Sequence, residues 1–170
     1  MRLLDAASRG AVKFLGKWFF FSVVSGLLAA GLVRLFLMLL HTIRDYLAGT
    51  GVIPPVWALL GALLAGLLVY RVSPGSIGEG IPSYLNGMLH HRGVLGFRET
   101  IFKFWAALVT LTTFGSGGIV GPLGRVSAGA LSEMNRWLRK VVPLFTAGDT
   151  HTAALCGFAA TVGAIFHAPI

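Results

Sequence analysis

Long apolar runs separated by short polar segments dominate the first 70 residues. The run from Trp18 to Leu40 is 23 residues long, which as an α-helix spans about 34 Å and matches a bilayer core of about 30 Å. A second run, from Val56 to Tyr70, follows a pair of prolines that favours a helix start. The pattern predicts two membrane-spanning helices, at residues 18–40 and 56–70, joined by an external loop at residues 41–55.

After residue 71 the hydrophobic pattern is repeatedly broken by glycine and proline. We predict short helices at residues 79–89, 101–114 and 119–132 and a last helix at residues 153–170. Segment 101–114 would span only about 21 Å as a helix and runs into the sequence GSGG, so it is too short to cross a bilayer unaided. Because non-helical backbone at membrane depth needs protein or water around it, the pattern predicts an all-α integral membrane protein with broken or re-entrant helices.

Basic residues lie between the apolar runs rather than in one continuous stripe. The chain has 14 Lys and Arg against 6 Asp and Glu, a net charge of +8. Four of the basic residues fall within residues 1–17, which we predict to be a cytoplasmic amphipathic segment, so the amino terminus should be cytoplasmic. A later polar segment should be cytoplasmic too, with His90, His91, Arg92, Arg98 and Lys103. This distribution favours membrane topology over nucleic-acid binding.

The sequence carries no recognisable catalytic or metal-binding signature. Cys156 is the single cysteine and cannot form an internal disulfide. The adjacent His90 and His91 would point about 100° apart on a helix, and no third ligand lies nearby in the sequence. No Ser/His/Asp set, phosphate loop or carboxylate pair occurs at a usable spacing. We therefore expect no enzyme activity, no metal and no cofactor.

Two turns that contain glycine and proline precede predicted helices and form the candidate site. Helix amino termini carry unpaired N–H groups and a partial positive charge, so two that converge in a low dielectric would attract an anion. Glycine permits close backbone approach, and proline in the first turn lacks an N–H that would be unpaired anyway. Local chemistry alone fits ordinary loops between spans equally well. The candidate residues are Gly78, Glu79, Gly80, Ile81 and Pro82 in the first turn and Gly118, Ile119, Val120, Gly121 and Pro122 in the second.

The order and spacing of three segments resemble the voltage-gated chloride channel (CLC) family of channels and proton-coupled antiporters. GEGIP and GIVGP are similar to the family's GSGIP and GREGP or GKEGP signatures, and segment 148–170, which ends in HAPI, resembles a small-residue helix ending in NAPL. The resemblance covers residues 56–170. It implies that residues 18–170 are a partial CLC-like transmembrane domain, an incomplete first inverted repeat. It also implies chloride as the transported ion, a homodimer, and lipid contact in a plasma or inner membrane.

Three residues depart from the family's pattern. Val120 occupies the position of the gating glutamate, which carries protons in the antiporters, so the resemblance implies a passive channel. Glu79 replaces an anion-coordinating serine, and an ionised carboxylate 4 Å from chloride would repel it by about 4 kcal/mol at an effective dielectric of 20. Glu79 is therefore a candidate gate or pH sensor, with a solvated acid beside a helix start as the alternative. His167 replaces the family's Asn, and we assign it no role.

Three functions follow from these departures. A passive chloride channel is favoured, and a proton-coupled antiporter that uses Glu79 is the second transport function. The third is a non-conducting membrane scaffold, because the family's second repeat, with its own helix start and anion-coordinating tyrosine, lies outside these 170 residues.

Overall fold

The protein is described here by a computed structural model, which covers the backbone of residues 2–167 and the side chains of residues 11–12 and 14–167. Six α-helices make up most of this part of the chain. A π-helical turn at Leu68–Val72 extends the second helix, and a 3-10 turn at Pro74–Ser76 follows it. The helices are α1 (Arg2–Gly49), α2 (Pro54–Leu67), α3 (Ile81–His90), α4 (Phe97–Thr112), α5 (Val120–Val141) and α6 (Asp149–Phe166).

The first two predicted spans are confirmed as helices, but α1 is much longer than predicted. Segments Phe14–Gly49 and Pro54–Val72 are long and apolar enough to cross a membrane, by length and composition. The predicted basic segment 1–17 continues into the first span without a break from Arg2 onward, and the predicted loop 41–55 shrinks to residues 50–53. Helix α1 continues because Leu47 is buried, and it ends where Gly51 has a φ of +72°.

The later helices occur in the predicted order with shifted bounds. The one predicted at 79–89 begins at Ile81, because Gly78 and Gly80 have φ values of +80° and +106° that no helix continues through. The helix predicted at 101–114 occupies 97–112, and the one predicted at 119–132 extends to Val141. The last helix begins at Asp149 rather than 153 and ends at Phe166; residues 168–170 of that prediction lie outside the described chain.

Small residues allow α5 and α6 to pack closely. A Cβ atom at Gly157 would lie 2.6 Å from the Ser127 carbonyl oxygen, and one at Gly124 would lie 2.6 Å from the Phe158 ring. The Thr161 hydroxyl donates to Ser127 Oγ at 2.6 Å within the same contact. Backbone approach of this kind is characteristic of membrane helices, where small residues line the helix interfaces.

Aromatic contacts and one ion pair fix α1 against the other helices. The Phe36 ring meets the Phe104 ring of α4 edge-on, with centroids 5.4 Å apart. At one end of the bundle Lys17 pairs with Asp149 at the start of α6. Gly93, from the loop after α3, lies against the same start, since a Cβ there would be 2.5 Å from the His151 Cα. We call this the Lys17 end, formed by Lys17, Asp149 and residues 91–96.

Candidate anion-binding site

The two predicted turns meet through their backbones. A Cβ atom on Gly80 would lie 2.7 Å from the Gly121 carbonyl oxygen, and one on Gly121 would lie 2.7 Å from the Glu79 carbonyl oxygen. Both distances are too short for any side chain, so the contact requires glycine on both sides. Gly80 and Gly121, 41 positions apart in the sequence, therefore bring the starts of α3 and α5 together, as the convergence hypothesis requires.

Neither helix start at this contact carries a side-chain cap from the described residues. Gly80 precedes α3 and Ile119 precedes α5, and neither position has a side-chain capping hydrogen bond. The first intrahelical donors are the N–H groups of Tyr84 and Leu123, which donate to the carbonyls of Gly80 and Ile119 at 2.9 and 3.1 Å. The earlier N–H groups of both helices are thus available to a ligand. Pro82 lies in the first turn of α3, as predicted.

A cavity of about 580 Å³ lies beside the meeting point, between α2, α4 and the two turns. Such a volume is within the range of small-ligand sites. Gly80, Ile119 and Pro82 do not line it: Gly80 is buried in the backbone contact, and Ile119 packs on the apolar core of α1 and α4. Seven of the ten candidate residues line it, namely Gly78, Glu79, Ile81, Gly118, Val120, Gly121 and Pro122.

Lys103 is a part of this site that the sequence did not indicate. The sequence grouped it with a cytoplasmic basic segment, but the structure buries it: Lys103 is 5% exposed, lies on α4 and lines the cavity. Its ammonium group donates to the Ser76 carbonyl at 3.0 Å and to the Gly78 carbonyl. It therefore fixes the loop before Glu79 and places a full positive charge in the cavity wall.

The three residues that depart from the family's pattern occupy different surroundings. The Glu79 side chain is exposed and lines the cavity, so a carboxylate and the Lys103 ammonium face the same space. Val120 is half-buried in the wall and presents only an apolar surface. His167 ends α6 in a left-handed conformation, with a φ of +51°, and does not line the cavity.

Arg125 is a second buried cation that the sequence analysis did not single out. It is 2% exposed and lies on α5, one turn after Gly121. The signal that would have found it is a lone arginine within a glycine-rich membrane-type helix, since such residues almost always face protein or water.

Broken helices whose proline-containing starts meet at a cavity are typical of membrane transport proteins. The family model for voltage gated chloride channels matches residues 61–170, so the chain belongs to the voltage-gated chloride channel family, a transport family rather than an enzyme family. This confirms the resemblance found in the sequence.

One curated relative is much longer than this chain. A protein named as a ClcB-like chloride channel protein, from Ralstonia nicotianae, is 28% identical over 121 residues, which cover 68% of this chain and 28% of that protein. The match spans less than a third of the relative's length. No solved structure matches the chain.

Proposed function

We propose that this chain forms part of a chloride pathway across a membrane. The observation that carries the proposal is the backbone contact of Gly80 with Gly121 beside a cavity that also contains Lys103. Each helix start is equivalent to about half a positive charge, which attracts an anion 5 Å away by about 1.7 kcal/mol at an effective dielectric of 20. Two such starts and one buried ammonium form an environment suited to a small anion.

The apolar wall at Val120 favours passive conduction over proton exchange. A side chain without a titratable group cannot compete with chloride or carry a proton. The position that gates family antiporters therefore offers no charge to be removed before an anion enters. We propose a passive channel on this basis.

Glu79 supports a second candidate function, a proton-coupled antiporter. Its exposed carboxylate lies in the same cavity as Lys103, and protonation of this carboxylate would remove a charge that repels chloride. In a passive channel the same carboxylate would act as the gate or pH sensor. The two functions differ in whether the proton that Glu79 takes up is carried across the membrane.

We also propose that the protein is a homodimer in the membrane with its Lys17 end on the cytoplasmic side. The excess of basic residues before the first span supports this orientation.

Chloride efflux from liposomes that contain the purified full-length protein separates these functions. A passive channel releases chloride down its gradient and is not driven by a pH gradient, an antiporter is driven by one, and a scaffold gives no flux. Glu79→Gln should raise flux at neutral pH and flatten its pH dependence. Asp45→Asn, at an exposed acid on α1 away from the cavity, should leave both unchanged. Equal fluxes for wild type and Glu79→Gln at every pH would refute the gate.

A further inference from the structure

A second cavity, of about 260 Å³, lies between α3, α4, α5 and the loop before α4. It lies beside the next turns of α3 and α5, the two helices whose starts meet at Gly80 and Gly121. Residues of the Lys17 end form part of its wall. Its polar lining side chains are Ser83, Asn86, His91, Glu99 and Arg125. The chloride pathway proposed above uses none of them.

Arg125 is the buried cation in the wall of this cavity. Its Nε donates to Ser83 Oγ, Nη1 to Thr100 Oγ1 and Nη2 to Glu99 Oε2, each at 3.1 Å. These contacts use three of its five N–H groups. The guanidinium therefore bridges α3, α4 and α5 and keeps two donors beyond these contacts.

The pair formed by Arg125 and Glu99 is incomplete as an ion pair. Only one hydrogen bond joins the two groups, whereas an arginine and a carboxylate commonly form two parallel bonds. The side chain of Glu99 is 43% exposed, while that of Arg125 is 3% exposed. Water therefore reaches the Glu99 carboxylate, whereas the Arg125 charge stays buried and is stabilised by an anion beside it.

The geometry points to a tetrahedral oxyanion as the ligand of this cavity. A planar guanidinium binds two oxygens of one phosphate or sulfate side by side, which a spherical halide cannot match. Asn86 and His91 offer further donors from the wall. The volume holds one such ion with several waters, each of which takes about 30 Å³.

We propose that this cavity binds inorganic phosphate or sulfate from the Lys17 end, in competition with Glu99 for Arg125. When the ion binds, Arg125 exchanges its single hydrogen bond with Glu99 for two parallel hydrogen bonds with the ion. The two cavities share no lining residue, so phosphate binding and chloride transport can be measured separately.

Calorimetric titration of phosphate into the full-length protein, in phosphatidylcholine nanodiscs at constant chloride, tests the proposal. Glu99→Gln should tighten phosphate binding at least about tenfold because it removes the competing charge. Glu133→Gln is the matched control, since Glu133 pairs with Arg136 on the same helix outside the cavity. It should leave affinity unchanged. Arg125→Lys keeps the charge but loses the planar fork, and it should weaken binding at least about tenfold.

Several results would overturn the proposal. These are no saturable phosphate binding, no competition by sulfate, or a Glu99→Gln affinity equal to that of Glu133→Gln. If Glu99 only stabilised the fold, its replacement would weaken binding or leave it unchanged, so the direction of the effect decides. Should Arg125→Lys fail to fold, the comparison of Glu99→Gln with Glu133→Gln decides alone.

Discussion

Replacing Lys103 by methionine should lower chloride occupancy of the first cavity. The ammonium group puts a positive charge in the wall of the cavity that the exposed Glu79 also lines. At an illustrative 6 Å, a unit charge attracts chloride by about 3 kcal/mol at an effective dielectric of 20, roughly a hundredfold in occupancy. Because the cavity reaches water, screening reduces this value, and we expect a loss of about tenfold to a hundredfold.

The same substitution also affects the loop that carries Glu79. The Ser76 and Gly78 carbonyls both lose their charged donor, which costs about 1.5–3 kcal/mol for each hydrogen bond to a charged group. Removal of a buried ammonium offsets part of this cost, because that charge no longer has to be kept out of water. The net change in the free energy of unfolding should be small enough for the protein to remain folded.

The assay is chloride efflux from liposomes at low chloride, with the exposed Lys140→Met as the control for loss of one charge. Lys103→Met should reduce flux about tenfold or more, and high chloride should restore part of it, since a weakened site fills at higher concentration. Lys140→Met should match wild type. Wild-type flux in Lys103→Met with intact folding would refute the role of this charge.

Four further substitutions test the cavity wall, the glycine contact and the Lys17 end. Val120→Glu restores a carboxylate in the cavity wall and should lower neutral-pH chloride flux, with recovery on acidification; a pH-independent flux would contradict this. Gly121→Ala should abolish flux because its Cβ would collide with backbone, whereas Gly118→Ala, where nothing lies within 4 Å, should keep it, and equal effects would count against the contact. Asp149→Asn should lower the free energy of unfolding by about 1.5–3 kcal/mol through loss of the charged hydrogen bond from Lys17, measured by thermal denaturation.

The pH dependence of Asp149 gives the last substitution a second readout. Burial opposes ionisation, but hydrogen bonds from Lys17 and Thr146 hold the pKa of Asp149 below its usual value. A folded-state pKa below the unfolded one gives stability that is present above the unfolded pKa and is lost as pH falls through the folded value. The stability difference between wild type and Asp149→Asn should therefore shrink below about pH 4. A difference that stays constant on acidification would show that the pair contributes nothing through charge.

Glycine and proline spacing allowed much of the fold to be predicted. The starts of α3 and α5 were identifiable because Pro82 and Pro122 fix φ in the first helical turn, and because glycine before Pro82 allows the positive φ of Gly80. The predicted end of the first span, at residue 40, was too early. Residues 41–49 are more polar than the run before them, but polarity alone does not end a helix. The stop is at Gly51, where the backbone turns left-handed.

The charges in the two cavities depended on tertiary packing that the sequence does not show. Lys103 follows a run of exposed basic residues, so proximity in sequence suggested a shared surface, but helical geometry turns it toward the Ser76 loop. The importance of Arg125 depends on α3 and α4 bringing Ser83 and Glu99 to it from 42 and 26 residues away. Contacts over such separations have no local signature.

The central claim is that the starts of α3 and α5 together hold an anion. Bromide can replace chloride in crystals of the full-length protein, and its anomalous scattering locates it directly. We expect a bromide peak in the first cavity, within about 4 Å of backbone nitrogens in both 78–82 and 118–122. A map with bromide bound elsewhere and none at this meeting point would contradict it.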